Sequence, residues 1–167
     1  MKTPQKLPKE IVDMLLPRLA DEYTAFYTYR AASNWCQNVG FVKAAAYFKA
    51  ESDDELVHAR GIEDFLTLWN VIPELPTVKK PELEFGGLVD VIEKAYQLEL
   101  DLYDAYEDTS AKIFKTGDIC VFDFLQKYRD IQVKSVGEYS DMINVLQGCD
   151  TKSKFELLML EENLFGE

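Results

Sequence analysis

The only histidine of the chain, His58, lies three residues after Glu55. On a helix, residues three apart share one face, so this carboxylate and this imidazole can reach the same metal ion. Oxygen donors combined with one imidazole are typical ligands of iron or manganese, whereas a zinc site would be expected to use thiolates. Taken alone, a Glu-x-x-His motif is more often a solvated surface pair, so a metal site requires further ligands.

Three more ligand-capable side chains, Glu22, Glu99 and Gln132, interrupt apolar stripes of helical spacing. Burying carboxylates is costly unless an opposite charge compensates, and no Lys or Arg lies on these stripes. Metal cations would supply the missing charge. Any one of these residues alone is explained by a position at the rim or by a misjudged helix face. The combination, at one depth of a bundle, favours a metal site in the core.

Apolar periodicity predicts the helices that carry these residues. The predicted helices are 9–39, 42–70, 87–115 and 119–147, with a short fifth helix at 152–164. Pro17 removes a backbone hydrogen bond, so the first helix either kinks there or has its main part begin there. No segment alternates as a strand does. The sequence therefore predicts an all-α fold in a single domain spanning 1–167.

The lengths of the connections predict how the helices are arranged. Short connections after the first and third helices favour two antiparallel hairpins. The connection from Val71 to Gly86 has about 16 residues and reaches ~50 Å when extended. A helix of ~28 residues is only about 42 Å long. This connection can therefore join two parallel helices, which predicts an up-down-down-up four-helix bundle with one long crossover.

The histidine count restricts the kind of metal site. Symmetric di-iron bundles use two Glu-x-x-His motifs, and one histidine cannot supply both. We therefore expect an asymmetric site, with Glu22, Glu55 and His58 around one metal. Glu55 and Glu99 would hold the other metal, with a weak or water-mediated contact from Gln132. The second metal is then the more weakly bound of the two.

Charge and composition exclude several classes of partner. Lys and Arg total 18 and Asp and Glu total 30, which gives a formal net charge of −12. Such a surface repels nucleic acid and anionic membranes. No apolar run approaches the ~20 residues of a membrane helix, and the three cysteines form no Cys-x-x-Cys pair. We expect a cytoplasmic protein whose natural partners are cations.

The order and spacing of these motifs resemble those of ferritins over residues 10–165. The segments that carry the resemblance are Glu22–Tyr29, Asp54–Ala59, Leu98–Leu100, Gln132–Lys134 and the crossover segment Thr77–Pro81. The resemblance is to the ferroxidase centre of heavy-chain-like ferritins. It implies that Glu22, Glu55, His58, Glu99 and Gln132 bind two irons per subunit, that Glu55 bridges them and that Tyr29 can donate an electron.

The same resemblance implies a reaction and an assembly. Fe(II) would be oxidised by dioxygen or hydrogen peroxide and stored as ferric oxide in a hollow homo-oligomeric shell of twenty-four subunits. The chain also departs from the family. Residues Ile131, Lys134 and Ser135 replace the acids of a third iron site, Phe122 and Leu125 replace acids of the iron-entry channel, and Val57 and Arg60 replace acids that help mineral growth.

Three other functions remain open at this stage. A DNA-protecting mini-ferritin would share the bundle, but its first helix normally supplies histidines and this one has none. A non-catalytic structural or interaction subunit is compatible with the altered channel positions. A di-iron oxygenase acting on an organic substrate is the least favoured, because the second histidine is missing.

Overall fold

The computed structural model describes residues 1–166 and contains five α-helices in that range. Their bounds are α1 Lys9–Val39, α2 Val42–Leu68, α3 Leu88–Thr116, α4 Ile119–Gln147 and α5 Lys154–Phe165. Each end lies within two residues of its predicted position, and no strand occurs in the described part of the chain. The predicted all-α bundle with a short fifth helix is confirmed. None of these helices is long and apolar enough to cross a membrane.

Pro17 lies inside α1, and the expectation that the main helix could begin there is wrong. The helix begins at Lys9 and continues past the proline, although the proline ring removes one backbone hydrogen bond. Leu15 and Leu19, on either side of it, are completely buried. Burial of this apolar face on both sides of the proline outweighs the lost hydrogen bond.

Cross-helix contacts give the direction of each helix, because residue numbers fall in one helix as they rise in an antiparallel neighbour. The contacts are Tyr23–Glu63 and Arg30–Asp53 for α1 with α2, Glu22–Tyr106 and Tyr29–Glu99 for α1 with α3, and Tyr96–Ser140 and Phe114–Phe122 for α3 with α4. All three pairs are antiparallel, so α2 and α3 are parallel. The up-down-down-up arrangement is confirmed, and residues 69–87 form the crossover.

The core consists of two apolar clusters, one at each end of the bundle. The cluster at the α5 end includes Phe48 and Ile92, and the cluster at the opposite end includes Ile62 and Leu125. Leu125 is completely buried within its own subunit. Its place in the core agrees with the apolar periodicity of α4, and the replacement of a channel acid at this position stays a prediction.

Helix α5 docks on the N-terminus of α2 through a buried carboxylate. The N-cap residue of α2, Phe41, offers no side-chain cap. Instead, Glu161 accepts hydrogen bonds from the backbone N–H groups of Lys43, at 2.7 Å, and Ala44, at 3.0 Å. A negative charge at a helix N-terminus is favourable, because that end carries unpaired N–H groups and a partial positive charge. Glu161 thus couples the fifth helix to the bundle.

Replacement of this carboxylate tests the coupling. Glu161→Ala leaves the two N–H groups uncapped and is expected to lower the free energy of unfolding by about 0.5–2 kcal/mol. Urea denaturation measures this change. Glu162→Ala is the matched control, because it removes only an exposed ion pair with Lys43, whose contribution is about 0–1 kcal/mol. Equal stabilities for the two variants would contradict the assigned cap.

Candidate metal centre

A layer of polar side chains separates the two apolar clusters. Its members come from all four long helices: Glu22 from α1, Glu55 and His58 from α2, Glu99 from α3 and Gln132 from α4. The three carboxylates and the amide are buried, and the His58 side chain is 18% exposed. The expected interruptions of the apolar stripes therefore do lie inside the bundle.

One residue of the predicted α1 stripe lies elsewhere. A spacing of four residues from Glu22 and three from Tyr29 predicts that Phe26 faces inward, but Ala25 occupies that position and is completely buried. Phe26 is half-buried and lines a surface groove of about 600 Å³ together with Trp35 and the crossover. A small residue facing the core leaves room for the larger side chains around the polar layer.

Three of the five predicted ligands form one cluster. The ligand atoms of Glu22, Glu55 and His58 all lie within 4.8 Å of one another. The His58 Nδ1 atom is 2.9 Å from Glu55 Oε2 and 3.6 Å from Glu22 Oε2. These are the residues expected around the first metal, and a cation between them would contact two carboxylates and one imidazole.

Glu99 and Gln132 lie outside this cluster but are buried in the same layer. Three oxygen atoms of the layer, Glu22 Oε2, Glu99 Oε2 and Gln132 Oε1, have no hydrogen-bond partner. A buried polar atom without a partner costs about 1–3 kcal/mol, and more when it is charged. Among residues 1–166, His58 is the only cationic side chain that pairs with the carboxylates of this layer. This oxygen-rich donor set fits a hard or borderline metal cation.

The acidity of the layer reflects its burial. Burial raises the pKa of Glu55 well above its usual range, and the neighbouring Glu22 raises it further, although the hydrogen bond with His58 opposes the shift. Burial also raises the pKa of Glu99 to about 7. Burial alone would lower the pKa of His58, but the nearby carboxylates of Glu22 and Glu55 outweigh it and raise the pKa to about 10. Without a metal, the layer therefore retains protons.

Two tyrosine hydroxyls complete the layer. Tyr29 donates a hydrogen bond to Glu99 Oε1, and Tyr106 donates one to Glu22 Oε1. Tyr29 was among the predicted site residues, whereas Tyr106 was not. A signal was present in the sequence, since each tyrosine follows a buried glutamate by seven residues, or about two helical turns.

Sequence reasoning also missed a polar contact beside Tyr29. The ring of Tyr139 stacks on Tyr29 with a centroid separation of 6.4 Å, and its hydroxyl lies 3.5 Å from Glu51 Oε2. Burial, followed by the charge of Glu138, raises the pKa of Glu51 to about 7. Tyr139 follows Gln132 by seven residues, the same spacing that relates the other two tyrosines to their glutamates.

Comparisons with known proteins agree with this geometry. A family profile described as "Ferritin-like domain" matches residues 12–149. The chain belongs to the ferritin family. It is 31% identical over 122 residues to a bacterial non-heme ferritin from Campylobacter jejuni, covering 73% of each chain. It is 25% identical over 151 residues to a probable bacterial non-heme ferritin-like protein from Haemophilus influenzae, covering 89% of this chain and 92% of the relative.

Solved structures show the same ferritin fold. An open-pore ferritin from the archaeon Archaeoglobus fulgidus superposes with a TM-score of 0.90 at 20% sequence identity. The match covers 97% of this chain and 99% of that ferritin. At this identity the likeness concerns the fold, and the function has to be argued from the polar layer itself.

The raised pKa values predict how the metal-free ferritin responds to pH. Glu51 and Glu99 bind protons more tightly when folded, so their stabilising contribution is complete below the unfolded pKa of 4.5 and is lost as the pH rises through about 7. The stabilising contribution of His58 is complete below its unfolded pKa of 6.5 and is lost as the pH rises through about 10. The free energy of unfolding, measured in urea with a chelator, should fall from about pH 5 to about pH 9.

A variant distinguishes the pH dependence caused by the buried groups from charge repulsion across the whole acidic protein. Glu99→Gln removes one titrating group and should make the decline between about pH 5 and pH 7 shallower. Glu107→Gln, at an exposed position of the same helix, is the control and should leave the slope unchanged. A stability that rises over this range would show that the buried groups do not carry raised pKa values.

Proposed function

We propose that this ferritin is a ferroxidase that binds Fe(II) at a di-iron centre in the polar layer, oxidises it and stores the product. The observation that carries the proposal is the set of three buried oxygens without a partner, on Glu22, Glu99 and Gln132. A helical bundle gains nothing from leaving such atoms unpaired, because apolar residues of similar size would pack there at lower cost. Two cations in the layer would satisfy all three, one beside Glu22 and the other beside Glu99 and Gln132.

The two irons occupy unequal positions in this proposal. The first is held by Glu22, Glu55 and His58, whose ligand atoms already lie close together. The second is held by Glu55, which bridges the irons, and by Glu99, with Gln132 as a neutral and weaker donor. Each position has one carboxylate of its own and shares Glu55, but the imidazole of His58 is a stronger donor than the neutral amide of Gln132, so the second iron should bind less tightly and exchange more readily.

The chemistry requires the site to exchange protons for metal. Ligands must be deprotonated to bind, so iron displaces the protons that Glu55, Glu99 and His58 retain in the metal-free protein. Two Fe(II) ions together give two electrons, which with two protons reduce dioxygen to hydrogen peroxide or hydrogen peroxide to two water molecules. The buried carboxylates would hold the resulting Fe(III) with a stronger charge interaction than they give Fe(II). Tyr29, which donates a hydrogen bond to Glu99, would supply a further electron, a role carried over from the family resemblance.

Storage is the second part of the proposal. Ferric product would collect as a hydrated oxide inside a homo-oligomeric shell of twenty-four subunits, a shell size carried over from the family resemblance. The net charge of −12 suits a protein that attracts cations and avoids nucleic acid and anionic membranes. A cytoplasmic location stays a prediction, as does the single domain over 1–167. A purely structural subunit has no use for the unpaired oxygens.

Loss of a ligand should abolish rapid iron oxidation. Glu55→Ala removes the bridging carboxylate and His58→Ala removes the only imidazole, so both should reduce Fe(II) oxidation under air to the uncatalysed rate. Stopped-flow absorbance of the ferric product measures this. Glu107→Ala, exposed on α3, is the matched control and should behave as the wild type. Unchanged oxidation in the two ligand variants would remove these residues from the mechanism.

Assembly and storage are tested together on the iron-loaded protein. After aerobic loading with Fe(II), size-exclusion chromatography should show protein and iron eluting together as one very large particle. Elution of iron-free protein as a small species would contradict storage in a shell. A particle that is large, but smaller than a shell of twenty-four subunits, would favour the mini-ferritin alternative.

A further inference from the structure

The polar layer contains a reciprocal pattern that links α1 and α3. Glu22 and Tyr29 are seven residues apart on α1, and Glu99 and Tyr106 are seven residues apart on α3. Because the two helices are antiparallel, each tyrosine lies level with the glutamate of the other helix. Tyr29 donates to Glu99 and Tyr106 donates to Glu22. Each of these glutamates thus receives one hydroxyl from the opposite helix.

The hydrogen bond from Tyr106 distinguishes the two oxygens of Glu22. It occupies Oε1, whereas Oε2 has no hydrogen-bond partner and lies 3.6 Å from His58 Nδ1. The free oxygen is therefore the one that faces the other ligands. The same division holds on α3, where Tyr29 occupies Glu99 Oε1 and leaves Oε2 unpaired.

The position of the Tyr106 ring is itself fixed by its neighbours. The ring is completely buried and stacks on Tyr128 with a centroid separation of 5.2 Å and an angle of 8° between the planes. Arg18 lies over the same ring at 5.9 Å. Its guanidinium group donates to the Ala105 carbonyl and, at 2.9 Å, to the Thr109 hydroxyl, on the turn that carries the tyrosine. The hydroxyl therefore has little freedom to leave Glu22.

We propose that Tyr106 is a positioning residue that holds Glu22 Oε1 and presents Oε2 as the single ligand oxygen to the first metal. Tyr29 performs the same task for Glu99 at the second metal. This inference rests on the proposed function, because it assigns roles around the same two metal positions. Groups that orient metal ligands in this way commonly change metal affinity by about 10- to 100-fold when they are removed.

The hydroxyl, and not the ring, carries this role. A tyrosine that only filled the core would be replaced by phenylalanine without any effect specific to one metal position. A positioning hydroxyl acts through Glu22, so its removal must weaken the first metal and leave the second nearly unchanged. Tyr29→Phe must weaken binding of the second metal and leave binding of the first nearly unchanged.

Titration with Co(II) under argon tests the assignment, since the visible absorbance of Co(II) reports its coordination and separates successive equivalents. For Tyr106→Phe, the affinity of the first equivalent should fall by about 10- to 100-fold while that of the second changes little. Tyr96→Phe is the matched control, because its hydroxyl contacts Ser140 and no candidate ligand. A wild-type affinity for the first equivalent in Tyr106→Phe, or equal weakening of both equivalents, would overturn the proposal.

A double variant shows whether Tyr106 acts through Glu22. If it does, the variant that combines Tyr106→Phe with Glu22→Ala binds the first Co(II) no more weakly than Glu22→Ala alone. Additive losses would overturn the proposal. Should Tyr106→Phe fail to fold by circular dichroism, Arg18→Gln tests the same chain of contacts, and it should weaken the first equivalent selectively. An unchanged first equivalent in Arg18→Gln would then overturn the proposal.

The wild-type protein separates this inference from the proposed function. If wild-type protein binds Co(II) and Glu55→Ala does not, the di-iron site stands and the variants decide the role of Tyr106 alone. If the wild type binds no Co(II), both the site and the positioning role are overturned.

Discussion

The structure of this ferritin depends on one constraint, the burial of three carboxylates between two apolar clusters. Within the described residues, one histidine is their cationic partner. Water is largely excluded from Glu22, Glu55 and Glu99, so their mutual repulsion has to be relieved by protons or by metal. In the metal-free chain protons do so, as the raised pKa values of Glu55, Glu99 and His58 indicate. In the proposed function, the same groups bind cations once the protons leave. Binding of metal and stability of the fold are therefore two aspects of one electrostatic balance.

The directions of the helices determine which side chains meet in the polar layer. Antiparallel pairing of α1 with α3 brings Tyr29 level with Glu99 and Tyr106 level with Glu22, so one oxygen of each carboxylate is fixed and the other is free. The parallel relation of α2 and α3 requires the long crossover at 69–87. At the far end, Glu161 joins α5 to the start of α2 and completes the cluster above the polar layer. The site is thus held by rigid helices instead of loops, as a precise constellation requires.

Much of this arrangement could be predicted from the sequence, because helical periodicity and connection lengths carry it. The apolar stripes predicted the helix bounds and the burial of the residues that interrupt them, which are Glu22, Glu55, Glu99 and Gln132. The connection lengths predicted the bundle topology. Single-helix detail was less predictable. Pro17 did not interrupt α1, because burial on both sides outweighs one hydrogen bond. The hydroxyl of Tyr106 was missed because its partner lies on another helix, although the seven-residue spacing from Glu99 was visible.

The central claim is that the unpaired oxygens of the polar layer are metal ligands. The most direct test is anomalous X-ray scattering at the iron absorption edge, on crystals soaked anaerobically in a ferrous salt. Two peaks are expected within coordinating distance of Glu55, the stronger one beside Glu22 and His58 and the weaker one beside Glu99. An empty layer, or side chains of Glu22 and Glu99 turned out to bulk solvent, would contradict it.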